Sequence, residues 1–125
     1  MLEEALCYEL SKIPEFKGEI YPTNIPKGTQ PPFLIYILSN FNQERCLDGY
    51  LPDEDKSFLL NVMAKEYEEM KNLTQTVKEM VQGWVNTSIG EVPIYVEDVE
   101  IINMTDTYEN EIELYRGILD IKIYY

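Results

Sequence analysis

Hydrophobic and polar positions change period abruptly near the middle of the chain. Within Ser57–Lys65 the apolar residues alternate, so that Phe58, Leu60, Val62 and Ala64 share one face of an extended segment. From Glu66 the spacing becomes three or four. Tyr67, Met70, Thr74, Val77, Met80, Val81 and Trp84 then form one stripe of an α-helix, with Gly83 as a plausible end. A strand running straight into an amphipathic helix predicts a layered α/β module. The stripe is expected to pack on the sheet, with Tyr67, Met70, Val77 and Met80 largely buried; the alternative is a groove for a partner.

The flanking segments extend this pattern. Leu2, Ala5, Leu6, Glu9, Leu10 and Ile13 sit at helical spacing, with Glu3 and Glu4 in the first turn, where the helix dipole favours acid. A helix over 1–13 is therefore expected, ended by Pro14. A brief strand over 18–21 stops at Pro22. The four prolines between Pro22 and Pro32 predict an extended loop crossing the sheet edge. Phe33–Ser39, apolar and uncharged, reads as a central strand with both faces covered.

Asn40–Lys56 is polar and acidic. Its Asp48-Gly49 pair is a hairpin-type turn, and both a hairpin and a mobile loop fit the segment. A turn at Thr87–Gly90, a strand over Ile94–Ile102 and a polar connection over Met104–Asn110 follow. The last strand, Glu111–Tyr125, sets Tyr115, Leu119, Ile121, Ile123 and Tyr125 against Arg116, Asp120, Lys122 and Tyr124. The expected fold class is α/β (α+β): a single mixed or antiparallel sheet of about 4–6 strands, with two helices on one face. One domain is expected over 1–125.

Charge narrows the classes of partner. With 23 acidic residues against 10 basic, the formal net charge is −13. Such a surface repels phosphate backbones and anionic membranes, and it suits solubility, basic partners or a conduit to which DNA must not stick. No apolar run approaches the roughly 20 residues a membrane-spanning helix needs. The acidic start Met1-Leu2-Glu3-Glu4 is unlike a secretory leader. Two cysteines, Cys7 and Cys46, without a CxxC pair, read as reduced thiols. Sequons at Asn72, Asn86 and Asn103 then have no context for use. The ten tyrosines fit strands and interfaces alike.

Catalytic chemistry finds little to stand on. There is no histidine, which removes Ser-His-Asp and Cys-His catalysis and most transition-metal sites. Neither a dinucleotide nor a phosphate loop motif occurs. Asp53-Glu54-Asp55 fails as a calcium loop, because the required glycine and glutamate positions hold Phe58 and Ala64. It reads as a solvated loop, with no change in melting temperature expected in millimolar calcium or magnesium. Glu97 and Asp98 are expected on opposite strand faces, and with Glu100 they read as edge charges that discourage aggregation. No catalytic, cofactor-binding or metal-binding residue is nominated, and no enzyme is expected.

With these segments placed, the chain resembles the tail completion or tail terminator proteins of tailed phages and prophages, also described as head–tail joining or minor capsid-like neck proteins. The likeness lies in an ordered series: the N-terminal helix, Glu19-Ile20-Tyr21-Pro22, Pro31-Pro32-Phe33-Leu34-Ile35-Tyr36, the strand ending Val62-Met63-Ala64-Lys65, the helix opening Glu66-Tyr67-Glu68-Glu69-Met70, and the closing segment 114–125. The resemblance implies an α/β sandwich without catalysis. It also implies a ring of six subunits that caps the tail tube in the neck of a virion assembled in a bacterial cytoplasm. Implied partners are the tail tube protein and a head-completion or connector protein. Asn40–Lys56 departs most from the family. Thr23–Gln30 and Asn40–Lys56 are expected to order on assembly, and carboxylates to dominate the channel wall. A second class also fits the charge: a small acidic cytosolic module, of DNA-mimic or immunity type, that recognises a basic partner.

Overall fold

The structure is a computed structural model that describes residues 2–46 and 49–125, with backbone alone over 42–46 and 49–53. The chain runs α1 (Leu2–Leu10), a 3-10 turn (Pro14–Phe16), β1 (Ile20–Pro22), β2 (Phe33–Cys46), β3 (Gly49–Ala64), α2 (Tyr67–Gln82), β4 (Thr87–Ile89), β5 (Ile94–Val96), β6 (Asp98–Glu109) and β7 (Leu114–Tyr124). Five strands form a sheet in the order β1-β2-β3-β7-β6, and β4 with β5 forms a separate two-stranded one. β1 runs parallel to β2, while the other pairs are antiparallel. The fold is therefore mixed α/β, as expected.

The change of period at Glu66 is where β3 gives way to α2, which opens at Tyr67. Phe58, Leu60 and Val62 of β3 pair with Ile121, Leu119 and Gly117 of β7, and all of them face the helices. Leu2, Leu6 and Leu10 of α1 and Leu73, Val77 and Val81 of α2 close over that face. Each fully buried aliphatic or Phe side chain contributes roughly 1.5–3 kcal/mol, so this single layer dominates stability. Gly117 sets how closely α2 can approach. A Cβ there would lie 2.2 Å from Thr74 Oγ1 and 2.8 Å from Met70 Sδ. Buried Thr74 satisfies its own hydroxyl by donating to Met70 O at 2.8 Å.

Several expectations are corrected. Tyr67 is 46% exposed and Met80 only half-buried, whereas Leu73 is buried. Tyr67, the first residue of α2, packs on one side against Tyr115 of β7 and leaves its other side exposed. α1 stops at Leu10, although Ile13 is buried beyond it. Ser11 Oγ donates to Cys7 O at 2.7 Å at that end. Phe33–Ser39 is not covered on both faces: Leu34 and Tyr36 face the core, but Ile35 and Ile37 are half-exposed and Leu38 is 46% exposed. The 94–102 segment breaks into β5 and β6. Met104–Asn110, expected as a connection, lies largely within β6, paired with β7 from Met104↔Leu119 to Glu109↔Leu114. β7 begins at Leu114 rather than at Glu111.

Asn40–Lys56 resolves as a hairpin, with β2 and β3 paired out to Cys46↔Gly49. The predicted Asp48-Gly49 turn lies outside the described residues, as do the Cys46 thiol and the Asp53 carboxylate. β3 keeps β7 as a second neighbour only from Asp55, and Tyr125 and Glu54 add one more rung through backbone bonds of 2.9 and 3.1 Å. Beyond it the hairpin continues alone. Five residues of β3, Gly49–Asp53, correspond to about 17 Å of strand.

Candidate functional site

Three surfaces stand out among the described residues. The first is the sheet's open edges. β6 has β7 on one side and, among the described residues, no strand on the other. It carries Asp98, Glu100, Asp106 and Glu109, and a bulge between Ile101 and Asn103, beside which Ile102 is 47% exposed. Charges and bulges are what keep an open strand from indiscriminate pairing. At the other side β1 covers β2 only over Leu34–Tyr36, so from Ile37 to Cys46 the outer edge of β2 has, among the described residues, no strand beside it either.

The second surface is an aromatic cluster where α2 crosses β6 and β7. Tyr115 meets Tyr67 at 5.6 Å and Tyr108 at 4.8 Å between ring centres, both edge-on. The Tyr67 hydroxyl hydrogen-bonds the Asp106 carboxylate, which pushes the phenol above its ordinary value. Lys71 Nζ stands 3.8 Å from the same carboxylate. Reading 104–110 as a connection hid this cluster. Once β6 is extended, the pairing Tyr108↔Tyr115 gives it away.

The third is the end of the molecule where α2 begins. An open depression of about 550 Å³ lies between the 22–32 loop, the start of α2 and the β6–β7 turn. Phe33 and Leu114 form its floor, Ile25 and Ile112 its sides, and Lys65, Glu66 and Glu113 its rim. A second depression, about 450 Å³, runs between the 3-10 turn and α2, lined by Glu15, Glu66, Glu68, Glu69 and Leu73. Glu66 borders both.

The acidic groups singled out by sequence do not converge. Asp55 Oδ1 lies 3.7 Å from Lys122 Nζ, while Glu54 turns to Tyr125, whose phenol is pushed up by burial and then by that carboxylate. Asp98 and Glu100 stand opposite Tyr124 and Lys122 of β7, and Tyr124 donates to Glu100 Oε1 at 3.2 Å. Among the described residues no group of His, Cys, Asp and Glu is placed to hold a metal ion. Cys7 is a free thiol, half-buried near Tyr36. Burial, with Cys7 and the α1 carboxylates nearby, pushes that phenol up to about 12. Lys56 Nζ reaches Glu3 of α1 at 2.5 Å. Burial, the largest influence, would raise the Glu3 carboxyl, but the Lys56 hydrogen bond, a backbone hydrogen bond and the Lys56 charge together outweigh it and hold the group below its ordinary value. No helix among the described residues is long and apolar enough to cross a membrane.

No protein-family model matches the sequence, and no curated protein matches it either. Solved structures do. A chain from a structure described as the virion of a native gene transfer agent particle superposes with a TM-score of 0.62 at 11% identity, covering 92% of this chain and 82% of that one. At that identity the likeness is one of fold.

Proposed function

We propose that this chain is a structural, non-catalytic subunit of a phage-like particle. Within such a particle, it forms the ring that caps the tail tube and joins it to the head-completion proteins. The observation that carries the broader reading is the match to a gene transfer agent virion chain over nearly the whole length. The narrower one draws on the ordered series of segments shared with tail terminator proteins.

The two open edges support a ring physically. β6 at one side of the sheet and the outer edge of β2 at the other are different surfaces of one subunit, so contacts between them are head-to-tail. Head-to-tail contacts generate rings when the rotation closes. Strand addition would satisfy the edge amides and carbonyls, with side chains setting register. Six subunits and a carboxylate-rich channel belong to the same reading. A net charge of −13 suits a wall past which DNA slides.

A reconstruction of the assembled particle is the test. Density for this chain at the head–tail junction, as a closed ring around an acidic channel, is the expected result. A position elsewhere, or a basic channel wall, sinks the neck reading. A chain that stays monomeric with particle components present and instead binds a basic cytosolic protein would favour the acidic-module reading.

A further inference from the structure

We propose that the end of the molecule where α2 begins is a docking surface for an extended, basic segment of another protein that carries a large apolar side chain. The observation is the pair of depressions that share Glu66. One has an apolar floor, with Phe33 and Leu114 at the bottom and Ile112, 52% exposed, beside them. At about 550 Å³ it has the size of an ordinary ligand pocket. The other is walled by carboxylates, Glu15, Glu68 and Glu69 besides Glu66.

Charge selects the occupant. Lys65 is the single cation among the residues lining either depression, against five glutamates, counting Glu113. Arg116 of neighbouring β7 is engaged by Glu109 at 3.4 Å. The second core cluster, Phe33, Met63 and Leu114, holds the apolar floor rigidly on the sheet. An apolar side chain seated there would place flanking basic groups beside Glu113 on one side and Glu66–Glu69 on the other. An acidic segment would be repelled, and a purely basic one would leave the floor wet. This surface belongs to one subunit and does not require the ring.

The test uses the full chain and an acetylated, amidated Arg-Leu-Arg-Phe-Arg peptide. Titration calorimetry measures affinity, and amide chemical shifts locate the site. Shifts centred on Ile25, Glu66 and Leu114 are expected, with dissociation constants at least fivefold weaker for the Glu66→Gln/Glu69→Gln/Glu113→Gln variant and for an Arg-Ser-Arg-Ser-Arg peptide. These glutamates are exposed, and an unchanged melting temperature verifies that the variant folds. Shifts scattered over the acidic surface would overturn the proposal. So would equal binding of the serine peptide, tighter binding of a Glu-Leu-Glu-Phe-Glu peptide, unaltered affinity in the glutamine variant, or no binding at all. None of these outcomes bears on whether the chain occupies the neck of a particle.

Discussion

The two halves of β3 are one strand in two environments. From Asp55 to Ala64 it lies between β2 and β7, and its Phe58, Leu60 and Val62 are sealed beneath both helices. From Gly49 to Asp53 it has β2 alone beside it. Core packing accounts for the inner half: its apolar face is part of the floor on which α2 rests. A two-stranded ribbon alone in water is marginal, so the outer half is expected to add little to the stability of the subunit.

The sharpest way to break this contrast is at the inner half. Val77 of α2 is fully buried over the sheet. Val77→Asp places an unpaired charge there, at a cost on the order of 3–5 kcal/mol, against a total stability of roughly 5–15 kcal/mol. Chemical denaturation should find the variant unfolded or barely folded. A Val77→Asp protein with an unchanged denaturation midpoint would refute the packing of α2 described above.

That packing was legible in the sequence because two periods met at a single residue, Glu66. The edges were not. β6 offers no clean alternation, since one side of the strand lacks a neighbour and its bulge shifts the phase at Ile101–Asn103, so 104–110 read as a connection. Tyr67 fits the helical stripe and does touch Tyr115 of β7, but at the helix start it is covered on one side alone and stays exposed on the other. The hairpin of 40–56 left two readings open because its largely polar sequence carries no periodic apolar signal. The depressions flanking Glu66 were invisible for another reason. Their walls come from the 22–32 loop, the start of α2 and the β6–β7 turn, which only the folded chain brings together.

The second prediction concerns how closely helix and sheet approach. Gly117→Ala drives a methyl into Thr74 Oγ1 and Met70 Sδ, and overpacking of this kind costs about 1–3 kcal/mol. A lowered denaturation midpoint with an unchanged slope is expected. Adding Thr74→Ala removes the nearest obstacle and should recover part of the loss, which a double-mutant cycle measures. Full additivity of the two would mean that α2 does not press on β7 at this point.

A smaller effect follows from the tie between α1 and β3. Against burial, which raises it, the Glu3 carboxyl is held below its ordinary value of 4.5 by hydrogen bonds and by the charge of Lys56. A depressed carboxylate stabilises the fold above its unfolded value, and that contribution disappears as pH falls through the folded value. The pair is partly exposed, so its worth is about 0.5–1 kcal/mol. Wild type should therefore exceed Glu3→Gln in melting temperature at pH 7, and the gap should close below pH 4.5. A gap that is constant from pH 7 to pH 3 would show that the ion pair is not its source.

The smallest effect on stability is expected at the outer half of β3, and it carries most for function. Gln43 and Glu54 face each other just inside the free end of the hairpin, where Glu54 still bonds to Tyr125. Replacing residues 44–53 by Asn-Gly would close the two strands with a two-residue turn of the favoured type. The cut leaves untouched every pairing of β3 with β7. The melting temperature should thus shift no more than surface changes usually produce, within about 0.5 kcal/mol of stability. Incorporation into particles, by contrast, should fail when the trimmed chain replaces the full one. Were the trimmed chain to unfold, the hairpin would be part of the core after all. Were it to fold and still assemble normally, the free end would have no part in assembly, and the open edges of β2 and β6 nearer the core would have to hold the ring.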